Sequence, residues 1–201
     1  MDGFIENTDI NFYTDHGYLH LRDQVETDII DEIKMRGMKQ RSWVDGQPVA
    51  NPVAGRFDEY IHNFYKSKFM YNLATSLLGK EDIWLFNDQI VIKKPNDNFV
   101  FPEHTDNDVV DVNKDYKIET VNISVILDDF TNENGTLEIL SQLTKNWVTT
   151  YPKKGDIVAI RGNTLHRSGE NKSSESRGLL ACVYTEEKLN VDMFYTEKFI
   201  L

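Results

Sequence analysis

The stretch Glu119–Phe130, ETVNISVILDDF, decides how this chain folds. Val, Ile and Thr crowd into it, a composition that fits the pleated surface of a strand. Five further runs share that character: IWLFNDQIVIKK (83–94), GTLEIL (135–140), NWVTTY (146–151), DIVAIR (156–161) and RGLLACVYT (177–185). Gly, Pro, Asn and Asp separate the runs, and ENG (133–135) and KKGD (153–156) are turn signals that lead into strands. Short strands at this spacing predict an antiparallel β-sandwich or barrel over residues 82–186.

Upstream the period changes, and residues 1–80 read as mostly helical. Within FYTDHGYLHL, Tyr18–Leu21 alternates and predicts a short opening strand. QVETDIIDEIKMRG places Val25, Ile29, Ile30 and Ile33 on one helical face, with Gly37 as its stop. After the polar loop RSWVDGQPVANPVAG (41–55), Phe57, Ile61, Phe64, Tyr65, Phe69, Leu73 and Leu77 recur at helical spacing up to Gly79. Residues 187–201 form a short aromatic tail expected to pack on the outside. The expected architecture is one domain over residues 1–201, mainly β with flanking α, its N-terminal helices laid against a jelly roll.

Bulk properties exclude some partners. A formal net charge of −11 disfavours nucleic-acid backbones and anionic membranes, both of which need clustered Lys and Arg. The single cysteine, Cys182, permits no intrachain disulfide and fits a reducing compartment; it reads as a small buried strand residue. The opening MDGFIENTDI lacks a basic, then apolar, leader, and no apolar run reaches membrane-spanning length. A cytoplasmic location is therefore expected.

Against this scaffold, FPEHTDND (101–108) carries His104 and Asp106, which project to one side of an extended segment. Two ligands hold a metal weakly, and His166, after DIVAIR, offers a third. Antiparallel pairing can bring it to His104 despite a separation of 62 positions. Two imidazoles and one carboxylate make the facial triad of non-haem Fe(II) oxygenases. Eleven residues beyond His166, Arg177 shares a strand face with Leu179, Ala181 and Val183. A guanidinium on an apolar face needs a bidentate carboxylate, which a dicarboxylate ligand reaching from the metal would supply. Taken singly, each of these residues has an ordinary structural explanation, and Arg177 could pair with any of 33 acidic residues. Their joint spacing argues for a site. His16, His20 and His62 read as surface or packing histidines.

The chain resembles the phytanoyl-CoA dioxygenase-like family of Fe(II)/2-oxoglutarate-dependent oxygenases over most of its length. FYTDHGYLHL resembles that family's opening strand, FPEHTD stands at its H-x-D, and VNISVILDDFTNENGTLEIL resembles its strand pair ending in D-D…N-G-x-L. KGDIVAI and LHRSGENKSSESR resemble its distal-histidine segment, H-x-S-x-x-N-x-S before the arginine. The resemblance implies a cupin-like double-stranded β-helix with Fe(II) on His104, Asp106 and His166. It also implies 2-oxoglutarate on Arg177, helped by Ser168, with Gln89 and Asn122 as further cosubstrate contacts. The implied reaction uses O2 to hydroxylate an unactivated C–H of a small-molecule or carrier-linked substrate, releasing succinate and CO2. The intact Asp106 occupies the position that a halide would need, which disfavours halogenation. The chain departs from the family where SQLTK (141–145) replaces the usual G-S-H, and at Thr105, where Gln is commoner. Selectivity is expected in residues 41–56 and 107–119, with Trp43, Arg56 and Tyr116 as the side chains in reach of a pocket. Two other readings stay open: a cupin-type metalloenzyme that does not use 2-oxoglutarate, and a non-catalytic β-sandwich binding protein. Oligomeric state is not readable.

Overall fold

The structure, a computed structural model, describes residues 3, 5–39, 49–52, 58–110, 118–189 and 197–198. Its first half holds α1 (Asn7–His16), β1 (Tyr18–Leu21), α2 (Thr27–Lys39), β2 (Val49–Pro52), α3 (Glu59–Tyr65), α4 (Lys68–Leu78), β3 (Trp84–Lys93) and β4 (Phe101–His104). Then come α5 (Asn107–Val110), β5 (Thr120–Ile126), β6 (Leu137–Leu140), β7 (Trp147–Thr149), β8 (Ile157–Arg161), β9 (His166–Ser168), β10 (Arg177–Thr185) and β11 (Glu197–Lys198). The strands form two antiparallel sheets. The larger runs β1-β8-β5-β10-β3-β11, with β2 also on β3, and the smaller runs β4-β9-β6-β7. This is the expected jelly roll.

Strand β5 shows why the deciding stretch reads as a nearly continuous apolar run: all seven of its residues are buried. Val121, Ile123 and Val125 face the helices, in a core shared with Ile30, Ile33, Ile61 and Leu73. Ile126 faces the smaller sheet, packing with Leu137, Ile139, Val158 and Leu179. A strand covered on both faces loses the polar half of its alternation. Each fully buried Val or Ile contributes about 1.5–3 kcal/mol, so β5 anchors both layers. The turn signals hold: Gly135 and Gly155 adopt φ of 73° and 92°.

Helix α1 ends on Gly17 at φ 78°, and the expected opening strand Tyr18–Leu21 follows it as β1. Three other expectations need correction. Gly37 does not stop α2, which continues to Lys39. A Cβ at Gly37 would lie 2.1 Å from Ile90 Cδ1, so the glycine lets the helix settle closely on β3. The long helix drawn through residues 57–79 is two helices. Asp58 caps α3 by accepting from the N–H groups of Tyr60 and Ile61, and Ser67 caps α4 through Met70 N–H. Each cap supplies an acceptor for otherwise unpaired N–H groups, so the chain restarts at Ser67. Within the predicted loop 41–55, Val49–Pro52 pairs with β3. Trp43, Arg56, Phe57 and Tyr116 lie outside the described residues. At the tail, Leu189 packs with Phe86 and Val183, and β11 pairs with Leu85 and Trp84 of β3.

The three remaining histidines are structural. His16 stacks on Phe12 and bonds Ser141 Oγ at 2.9 Å, His20 Nε2 meets Asp156 Oδ2 at 2.7 Å, and His62 packs edge-on against Tyr65. Cys182 is buried on the helix-facing side of β10. Among the described residues, no helix is long and apolar enough to cross a membrane.

Candidate functional site

His104 ends β4 and His166 opens β9, and the strand register sets them directly opposite each other. Their ring centroids are 4.2 Å apart. Asp106 lies two residues beyond His104, where the chain leaves the sheet. That exit is fixed by its neighbour: Asn107 N–H donates to Gly162 O at 2.9 Å, and Asn107 Oδ1 accepts from Thr120 Oγ1 at 2.7 Å. The result is three ligand atoms, one each from His104, Asp106 and His166, all within 4.8 Å of one another.

Hydrogen bonds decide which atoms face the centre. His104 Nδ1 lies 2.8 Å from Pro102 O, and His166 Nδ1 lies 3.0 Å from Thr164 O. A carbonyl only accepts, so both Nδ1 atoms carry the proton and both Nε2 lone pairs are left to bind a metal. Asp106 Oδ2 accepts from Asn122 Nδ2 at 3.1 Å, and Asn122 Oδ1 in turn accepts from Ser124 Oγ at 3.1 Å. Asp106 Oδ1 is thereby turned toward His166 Nε2, 3.8 Å away. Burial lowers the pKa of His166, with Asp106 opposing it, and keeps the ring neutral, the form that ligates.

A cleft links this centre to Arg177, passing Gln89, Ser168, Leu179 and Ala181. Arg177 is 2% exposed and shares the inner face with Leu179 and Ala181, as its parity predicts. Nη2 donates to Gly135 O at 2.5 Å, and the guanidinium stacks 4.0 Å over the Phe130 ring. Its Nε is buried with no hydrogen-bond partner, and no carboxylate pairs with Arg177 among the described residues. Burial pushes the guanidinium down to about 9, against the pull of Asp128. A desolvated cation with an idle donor lacks an anion.

Sequence reasoning missed Lys93. It is fully buried and stands directly opposite Arg177 across β3–β10. Nζ donates to Phe99 O at 3.2 Å, to Ser168 O at 3.3 Å and to Gly169 O. Burial and Arg177 push the amine down to about 7, while Asp97 and Glu170 oppose them. The three carbonyl acceptors match the three donors of a protonated amine, and the strand register sets that amine across from Arg177. The parity of Lys93 with Gln89 and Val91 was the available signal. Among the other expected residues, Gln89 and Ser168 line the cleft, and Asn122 is engaged at both ends of its carboxamide, bracing Asp106. Asn171 and Ser173 tie down the loop before β10: Asn171 Nδ2 donates to the carbonyls of Lys93, Lys94 and Glu175, and Ser173 Oγ to Asn171 Oδ1.

The profile of the phytanoyl-CoA dioxygenase family matches residues 13–142 and 141–179. No curated protein matches the sequence. Among solved structures, the chain is similar to EctD from S. alaskensis with 2-oxoglutarate and 5-hydroxyectoine, at 15% identity and TM-score 0.81, covering 92% of this chain and 78% of that one. It is also similar to EvdO2 from Micromonospora carbonacea var. aurantiaca complexed with 2-oxoglutarate, at 16% identity and TM-score 0.77, covering 96% and 95%. The epimerase SnoN in complex with Fe3+, alpha ketoglutarate and nogalamycin RO gives 16% identity and TM-score 0.77, covering 89% and 82%. At these identities the likeness establishes the fold.

Proposed function

Because this chain belongs to the phytanoyl-CoA dioxygenase family, we propose that it is an Fe(II)/2-oxoglutarate-dependent dioxygenase that hydroxylates a C–H bond of a small molecule. One catalytic domain spans residues 1–201 in this reading. Its main support is the cleft that joins a His-Asp-His centre to a buried Arg177 with no carboxylate partner among the described residues. A cupin-type enzyme without 2-oxoglutarate has no use for that cation, and a passive β-sandwich has no use for either feature. EctD and EvdO2, which share the fold, were solved with 2-oxoglutarate.

His104, Asp106 and His166 fit Fe(II): two neutral imidazoles and a carboxylate, with the opposite side of the centre left for other ligands. When bound, iron with 2-oxoglutarate and O2 supplies the oxidising chemistry. The chain's own residues do the rest. Arg177 holds the distal carboxylate with a paired donor edge, and Lys93 adds positive charge behind it. Ser168 and Gln89 line the path between that carboxylate and the metal. Asn122 keeps Asp106 aimed, so its carboxylate fills the coordination position that halogenation would need. Val91, Phe101, Leu137 and Leu179 form apolar walls that limit water at the reacting bond. A reducing, cytoplasmic setting fits the lone buried cysteine.

The test is succinate formation from 2-oxoglutarate in the presence of Fe(II) and O2. The wild type should release succinate even without its substrate, through slow uncoupled turnover, and the His166→Ala variant should release none. Full turnover by the His166→Ala variant would remove the ligand assignment. Iron-dependent activity that ignores 2-oxoglutarate would favour the other metalloenzyme reading.

A further inference from the structure

The inner face of the larger sheet runs in rows across β3, β10 and β5. Lys93 stands opposite Arg177, followed by Val91 with Leu179 and Ile126, then Gln89 with Ala181 and Ser124, then Asn87 with Val183 and Asn122. The last row is level with the metal centre, because Asn122 donates to Asp106. It is also the row farthest from Arg177, on the side a cosubstrate would leave free.

Asn87 is 7% exposed, and its Oδ1 is buried with no hydrogen-bond partner among the described residues. A β-bulge between Val183 and Tyr184 matches Leu85 to Tyr184 and leaves Asn87 opposite Val183. Leu85 and Tyr184 join the helix-side core, whereas Val183 packs with Phe86, Leu189 and Ile118. The orphaned oxygen therefore sits beside apolar side chains. About 10 Å, two interstrand spacings, separates Asn87 from Asn122, and Asn87 stands one row beyond Gln89, which lines the cleft. A desolvated amide oxygen is unfavourable unless a ligand brings it a donor. It would repel a carboxylate, as would a chain of net charge −11.

We propose that Asn87 is a specificity residue that accepts a hydrogen bond from a hydroxyl or amino group of the substrate, a neutral or cationic small molecule carrying that donor on an apolar skeleton. This rests on the oxygenase reading above.

The test uses the full chain loaded with Mn(II) and saturated with 2-oxoglutarate. Paramagnetic relaxation of probe protons reports binding near the metal. The probes are cyclohexanol, cyclohexylamine and cyclohexanecarboxylate. The alcohol and the amine should bind about tenfold tighter than the carboxylate, a factor one hydrogen bond can supply. N87L should erase that preference. N87D should strengthen the amine about tenfold over the alcohol, an effect that a merely structural asparagine would not produce. Equal relaxation of all three probes by the wild type, no relaxation of any, or unaltered preference in N87L overturns the proposal. Where N87L fails to fold, an unchanged amine preference in N87D overturns it. Failure to take up Mn(II) and 2-oxoglutarate, measured before any probe is added, overturns the oxygenase reading and this inference with it.

Discussion

Replacing Arg177 by Lys separates a cosubstrate clamp from a structural arginine. In the free protein one Nη is held by Gly135 O at 2.5 Å, and the guanidinium lies 4.0 Å over Phe130. Nε is the idle buried donor. Nε shares one edge of the fork with Nη2, which keeps a second N–H beyond the one given to Gly135 O, and that edge is spaced to meet both oxygens of a carboxylate. Lysine keeps the charge but loses one of the paired charge-assisted bonds, about 1.5 kcal/mol net, or roughly tenfold in the 2-oxoglutarate KM. The distal carboxylate is remote from the bond that breaks, so kcat should stay within about twofold of wild type. Arg177→Met removes both bonds and the charge, for about 3–4 kcal/mol and several hundredfold in KM. The same change should leave the metal-free protein as stable or more stable, because a desolvated, unpaired cation has gone. Initial rates of succinate release against 2-oxoglutarate concentration give the KM–kcat split, and thermal melts give the stability. An unchanged KM for Arg177→Lys, or a melt of Arg177→Met lowered by the equivalent of about 3 kcal/mol, would assign Arg177 to structure instead.

Asn122→Leu frees Asp106 Oδ2 from its 3.1 Å bond; Mn(II) affinity should fall about 10–100-fold, read by calorimetric titration. Gly135→Ala forces an alanine into φ 73° and puts its Cβ 2.2 Å from Gly169 O and 2.7 Å from Glu170 O. Since both are backbone atoms, urea unfolding should show a loss of about 2–4 kcal/mol. Asp156 sets an acid limit. Burial would raise its carboxyl, but the N–H groups of Lys153 and Asp23 and the ring of His20 outweigh burial and hold it below the usual range. Its contribution is therefore complete above the unfolded carboxylate pKa of about 4 and is lost as pH falls through the folded value. Asp156→Asn should cost about 1–2 kcal/mol at neutral pH and flatten the decline in acid, followed by denaturant melts across that range.

What the sequence made legible follows from burial pattern. Runs such as those of β5 and β10 are buried on both faces, so composition alone marks them as strands. Strands β4 and β9 are three or four residues long and carry His, Arg, Glu and Ser, so composition is silent there. The triad was still reachable, because residue type and order locate a metal site even where strand propensity is weak. Helix boundaries failed where tertiary contact decides them: Gly37 reads as a stop, yet it marks close approach to Ile90. Lys93 and Asn87 were not singled out, because a polar residue near the end of an apolar run reads as exposed. Only the register with Arg177 and Val183 places them inside.

The central claim is that His104, Asp106 and His166 share one metal ion. Mn(II) titrated calorimetrically into the metal-free protein, wild type and His166→Ala, tests it most directly. One equivalent should bind saturably to the wild type, and at least about 100-fold more weakly to a variant whose circular dichroism remains that of the folded protein. No saturation near one equivalent in the wild type, or equal affinity in His166→Ala, would contradict the account.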